Sequence, residues 1–245
     1  TQTAPLNAAG LELLGPAAVT LDNGANDFDT LASNTTNTLD IVDTDDLEIG
    51  TVGGTSGVTS GGNDVTLDTG GTLTLGDGSA GEAVDAGGAT VMLSSLADIQ
   101  GSADDGVADI LGGTIDLAAA AGGIGTASPV ELFAATLVNA DTTADGSDIV
   151  IDSVGDLPVG TIRSGPGGVT LTGDTGADTL IGPDADNTWT LTGPDAGILD
   201  DGVDTFDFFS FENVAGNAGS DTFTIGSGVV YNGDVSGGGG MDELA

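Results

Sequence analysis

Three stretches of this 245-residue chain spell one pattern in different words: NTLDIVDTDDLEIGT from Asn37, NDVTLDTGGTLTLGD from Asn63 and SDIVIDSVGDLPVGT from Ser147. Leu39, Val65 and Ile149 each open an apolar-x-apolar pair that closes on Ile41, Leu67 and Ile151. Eight residues beyond the first anchor stand Leu47, Leu73 and Leu157, and two further on Ile49, Leu75 and Val159, each followed at once by Gly50, Gly76 or Gly160. Alternation at period two marks strands with one buried face. The gaps hold Asp, Thr, Ser and Gly, residues that form turns.

Looser copies fill the spaces between. Val19 with Leu21, Val91 with Leu93, Ile115 with Leu117, Val169 with Leu171, Trp189 with Leu191 and Phe223 with Ile225 open similar pairs. The anchors at 19, 39, 65, 91, 115, 149, 169 and 189 are mostly 20 to 26 residues apart. That interval points to a solenoid, in which no unit buries its apolar face alone and each must stack on its neighbours. Helices are disfavoured, because Gly numbers 44, Thr and Val abound, and no long run keeps a period of 3.6. The expected fold is an all-β parallel β-helix with coils of about 20–26 residues. A β-sandwich is the competing architecture, since many short strands with turn signals suit it too.

Charge excludes whole classes of partner. Thirty-nine Asp and Glu face a single basic residue, Arg163, for a formal net charge of -38. Nucleic acid and anionic membrane surfaces both need clustered Lys or Arg, so neither is an expected partner. The most apolar region, Leu117 to Val138, contains several Gly, Pro129 and Glu131, which argues against membrane insertion. With no His, no Lys and no Cys, the chain cannot assemble a Ser-His-Asp triad, a thiolate nucleophile or a zinc cluster. A glycosidase needs only two carboxylates, a requirement that 39 acids meet somewhere by chance.

The stretch NGANDFDTLASNTTNTLDIVDTDDLEIGTV from Asn23, with the Gly50-type repeats, resembles the degenerate repeats of filamentous-haemagglutinin-type exoproteins and autotransporter passenger regions. Gly176 to Ile225 is similar to a module common in the same large bacterial surface proteins. The likeness is one of rhythm and composition and covers most of residues 17–230. It implies a right-handed parallel β-helix that is exported and displayed outside the cell, as an interior or released portion of something longer. In this reading residues 1–16 form an N-terminal cap or donor segment and 17–230 the repeat domain. Residues 175–230 are its aromatic-richer C-terminal module, and 231–245 a Gly-rich tail or linker.

Calcium is the candidate ion, although no cofactor is required. GDTGADTL from Gly173 and GNAGSDTF from Gly216 echo a calcium-binding nonapeptide, which makes Asp178 and Asp221 candidate ligands. They lie 43 residues apart, and each copy lacks the second Gly of that motif. Asp43, Asp45 and Asp46 in DTDDLE form a second cluster, with Asp46 and Glu48 on the outward side of the strand. The competing readings are that Asp and Gly simply make the corners in the first case, and that the second is a solvated acidic turn. Arg163 lies in a turn-like context, TIRSGPGG, that suits an exposed corner. The aromatics concentrate after residue 185, and Phe206, Phe208 and Phe211 suit a core or cap better than a sugar platform.

Together these features suggest a structural or adhesive segment of a secreted or surface-displayed bacterial protein, extracellular and non-catalytic. Its expected partners are further copies, in filaments or surface assemblies, and host or matrix glycans or proteins. The alternatives are a β-helix carbohydrate-active enzyme and a calcium-stabilised surface-layer or matrix module. Stacked coils lie about 4.8 Å apart, and two unit charges at that spacing repel by roughly 1 kcal/mol even in water. Added salt or calcium is therefore expected to raise the melting temperature; identical melts with salt, with calcium and with chelator would contradict this.

Overall fold

Strands with Val, Leu or Ile at every second position present one oily and one polar face, and parallel stacking puts each oily residue on its counterpart one coil away. The computed structural model describes residues 2–76 and 82–245. They form an all-β, mostly parallel β-solenoid of about ten turns, without a helix among the described residues. One column of the core runs Val19, Leu39, Val65, Val91, Ile115, Val138, Val159, each in register with the next. Its companion, two residues on until a bulge makes the last step three, runs Leu21, Ile41, Leu67, Leu93, Leu117, Ala140, Ile162. On another face of the coil stand Leu47, Leu73, Ile99, Ile124, Ile149, Val169 and Phe206.

These columns correct the phase of the third sequence copy. Ile149 stacks in the Leu47 column, not with Leu39 and Val65, and it is Val159 that ends the Leu39 column. The missing rung between Ile115 and Val159 is Val138, whose pair closes on Ala140. An apolar-x-apolar pair looks the same on every face, so rhythm alone does not tell which face a pair occupies. Corner lengths decide that.

The coil length also departs from expectation once. Val169 and Phe206 are register partners 37 residues apart. The excess is an antiparallel meander of Thr188–Leu191, Ala196–Asp200 and Thr205–Phe209, whose last strand rejoins the parallel ladder on Val169–Gly173. Trp189 therefore does not begin the coil above Val169; it stacks on Phe223, with ring centroids 5.5 Å apart and planes at 13°. Phe208 meets Trp189 edge-on at 5.9 Å. Trp189, Phe206, Phe208, Phe211 and Phe223 are all buried in the core as expected, while Phe209 faces outward.

Both ends carry strands. Asn7–Gly15 pairs in parallel with Asp27–Thr35, so the segment read as a cap is the first rung of the ladder. In the segment read as a tail or linker, Val235–Ser236 pairs with Val214–Ala215, and Glu243–Leu244 with Thr222–Phe223. Corners are tight: a Cβ on Gly70 would lie 2.0 Å from the Thr44 carbonyl one coil away, so only Gly fits there. Gly53 and Gly54, both at positive φ, turn the small hairpin Thr51–Val52 to Thr55–Ser56.

Outward columns interleave acids with neutral residues. One runs Thr20, Asp40, Thr66, Met92, Asp116, Asn139; another runs Val42, Asp68, Ser94, Ala118, Asp141, Arg163. Few carboxylates are thus stacked directly on carboxylates, and the exceptions are confined to particular steps of the ladder.

Because each coil is held by its neighbours, one central cavity weakens the array. Leu67→Ala, at a fully buried rung, is expected to lower unfolding free energy by about 2–5 kcal/mol. Val203→Ala, at a position 69% exposed, is expected to change it by less than about 0.5 kcal/mol. Urea denaturation of the two variants checks the contrast.

Candidate cation site

Acids follow one another up the ladder in a few places, and the longest such run occupies one outward position on three successive coils. Glu131 and Asp152 are register partners on adjacent coils, in Val130–Asp141 and Ile149–Ser153. One coil earlier Asp109 is in step with them: its N–H donates to the Glu131 carbonyl at 2.7 Å, and its Oδ2 accepts the Glu131 N–H at 3.1 Å. Strand alternation points Glu131 away from the core that Val130 and Leu132 enter, yet Glu131 is only 1% exposed. The loop between Gln100 and Ile110 folds back over it. Glu131 Oε2 accepts the Asp105 N–H at 3.2 Å, and Oε1 accepts the Gly106 N–H.

That loop brings Asp104 to the stack. One carboxylate oxygen each from Asp104, Glu131 and Asp152 lie within 4.8 Å of one another. Asp104 is exposed, Glu131 buried and Asp152 half-buried. Asp152 Oδ1 is sealed from solvent without a hydrogen-bond partner. Burial, and then the charges of Asp104, Glu131 and Asp174, push the Asp152 carboxyl from its ordinary 3.8 to about 7. Glu131 is raised as well, chiefly by burial and further by Asp105 and Asp104, while its two backbone donors pull the other way. Asp174 also reaches the loop: a Cβ on Gly106 would stand 3.6 Å from Asp174 Oδ1.

The residues singled out by sequence fall into three places. Asp178 stands opposite Glu212, whose Oε2 accepts the Asp178 N–H at 2.9 Å. It is 7% exposed, its Oδ2 is buried without a hydrogen-bond partner, and burial followed by Glu212, Asp174 and Asp156 raises its pKa. Asp221 belongs to another stack, between Asn187 and Asp242. Its Oδ1 accepts the backbone and side-chain N–H groups of Asn187 at 2.9 and 2.8 Å. Burial raises it first, and then the charges of Asp242 and Asp186. The structure does not bring Asp178 and Asp221 together.

Asp43 is a buried corner cap, its Oδ1 accepting the Phe28 N–H at 2.8 Å and its Oδ2 the Asp45 N–H at 3.3 Å. Its pKa is raised, by burial first. Asp45 and Asp46 are exposed, and Asp46 Oδ1 accepts the Thr72 N–H of the next coil at 2.7 Å. Arg163 is no free corner: its Nη1 lies 2.6 Å from Asp201 Oδ2 and 3.6 Å from Asp204 Oδ2. Burial opposes ionisation of Asp201, but the N–H groups of Asp204 and Val203 and the guanidinium outweigh it and hold the carboxyl below its ordinary range.

Sequence reasoning missed Asp104, Glu131 and Asp152. Glu131 had been noted only as a charge inside an apolar stretch, and that was the available signal: an acid bracketed by core residues needs a cover. An all-oxygen donor set of three carboxylates suits a hard divalent cation. No family model, curated protein or solved structure matches the chain.

A carboxyl whose folded pKa is raised holds its proton more tightly folded than unfolded. Its stabilising contribution is complete below the ordinary 3.8 and is lost as pH rises through about 7. Asp43, Glu131, Asp178 and Asp221 act in the same direction. With chelator present, the chain is expected to melt higher near about pH 5 than near about pH 8, and Asp152→Asn to shrink the difference. Scanning calorimetry at the two pH values measures both.

Proposed function

We propose that this chain is a structural and adhesive segment of a secreted or surface-displayed bacterial protein, one that extends or assembles outside the cell without catalysis. The observation that carries the reading is the mostly parallel ladder from Asn7–Gly15 to Glu243–Leu244, whose repeated coils build length around a shared core. Ten turns at about 4.8 Å amount to a rod about 48 Å long. The bacterial and extracellular context rests on the resemblance of the repeats to filamentous-haemagglutinin-type exoproteins.

The ends support assembly. Among the described residues, Asn7–Gly15 pairs with Asp27–Thr35 alone and Glu243–Leu244 with Thr222–Phe223 alone. An unpaired strand edge is a template for one more coil, supplied either by further repeats of a longer chain or by another copy. Host or matrix glycans or proteins would meet the long faces.

A carbohydrate-active β-helix enzyme would place its substrate along such a face. The trough of about 330 Å³ there is lined by Met92, Asp116, Ala118, Asn139, Asp141 and Thr161, among others, and by no aromatic side chain among the described residues. Incubated with neutral and acidic polysaccharides, the chain is expected to release neither reducing nor unsaturated ends. Sustained turnover that Asp116→Asn or Asp141→Asn abolishes would replace this reading with the enzymatic one.

A further inference from the structure

We propose that Asp104, Glu131 and Asp152 form a divalent-cation site, with calcium as the fitting ion, that clamps the loop between Gln100 and Ile110 onto two stacked coils. This goes beyond the scaffold reading and does not depend on it. Oxygens sharing one calcium at 2.3–2.6 Å stand at most about 5 Å apart, and the three carboxylates present one oxygen each within 4.8 Å of one another. Magnesium demands near-ideal octahedral geometry and gives up its water reluctantly, whereas calcium accepts a flexible set of protein oxygens, so three carboxylates on a loop and two coils suit calcium better.

Hydrogen bonding leaves room for the ion. A carboxylate offers about four lone-pair directions; the Asp105 and Gly106 N–H groups occupy two on Glu131 and orient it. Asp152 Oδ1 is buried without a hydrogen-bond partner. Asp104, being exposed, gives an entry path.

A second observation comes from the neighbouring turn. Asp174 stands beside the same loop, its Oδ1 3.6 Å from where a Cβ on Gly106 would lie, and Asp178 follows in the same turn. Asp178 is more than nine-tenths buried and likewise carries an oxygen without a partner, Oδ2. Asp152 Oδ1 and Asp178 Oδ2 are thus two buried carboxylate oxygens without a hydrogen-bond partner on neighbouring coils. The chain's one cation, Arg163, is committed to Asp201 and Asp204. Burial of unpaired charge is costly, and a bound divalent ion removes that cost.

A chain with 39 acids takes up calcium loosely everywhere, so the test separates a site from an atmosphere. Calcium is titrated calorimetrically into chelator-stripped protein at fixed ionic strength, using wild type, Asp104→Asn, Asp152→Asn and Asp207→Asn. Asp207 is exposed and lies outside the cluster. Wild type and Asp207→Asn are expected to show one saturable class of site that magnesium fills more weakly. Asp104→Asn and Asp152→Asn are expected to weaken it by about tenfold or more. Calcium should also slow hydrogen exchange in peptides spanning 101–109 in wild type and not in Asp104→Asn. If Asp152→Asn does not fold, the surface variant Asp104→Asn carries the test. Only weak, non-saturable uptake in wild type, or equal affinity in wild type and Asp104→Asn, would overturn the proposal.

Discussion

In-register stacking of like positions, one coil on the next, is the constraint from which the rest of the molecule follows. A parallel ladder repeats its side-chain environment about every 4.8 Å, so any residue type chosen at a rung is amplified along the axis. For Val, Leu and Ile the amplification is favourable, because each buries its apolar surface on a counterpart above and below. Columns such as Leu21, Ile41, Leu67, Leu93 and Leu117 build a core without thick layers and with few aromatics. The meander after Val169 is where the geometry changes, and there the core turns to Trp189, Phe206, Phe208 and Phe223.

For carboxylates the same amplification is unfavourable, and the chain manages it by alternation. Asp40 stands next to Thr66, Asp68 next to Ser94, and Asp116 next to Asn139, whose side-chain amide donates to it. Where acids are nonetheless consecutive, at Asp109, Glu131 and Asp152, at Asp178 and Glu212, and at Asp221 and Asp242, a member of each stack has a raised pKa. Burial first and stacked neighbouring charge second, rather than net charge, therefore set where the electrostatic strain sits. The ion pairs of Arg163 relieve a different place, the loop before Thr205–Phe209.

Corners supply the remaining control. They carry the buried polar groups, among them Asn26, Asp43, Thr69 and Ser95, whose side chains bond backbone groups that the ladder leaves unpaired. They also set the phase of each strand, because a change of a few residues at a corner moves the following pair to another face. Glycines such as Gly70, pressed against the carbonyl of the coil beneath, let successive corners nest.

From the sequence alone, the class of fold was legible, since apolar pairs of period two recurring every 20 to 26 residues have few solutions other than stacked coils. The burial of Phe206, Phe208 and Phe211 was legible because three large aromatics so close together are costly to expose. Alternation accounts for Phe206 and Phe208, and the turn at Ser210, at positive φ, brings Phe211 inward. What only the tertiary structure decided was which rungs share a column, the antiparallel detour at Trp189, and the meeting of Asp104, Glu131 and Asp152. Each of these depends on corner geometry and on a loop folding back across 25 or more residues. Periodicity reports which side of a strand a residue occupies, but it carries no information about what the next coil lays over it.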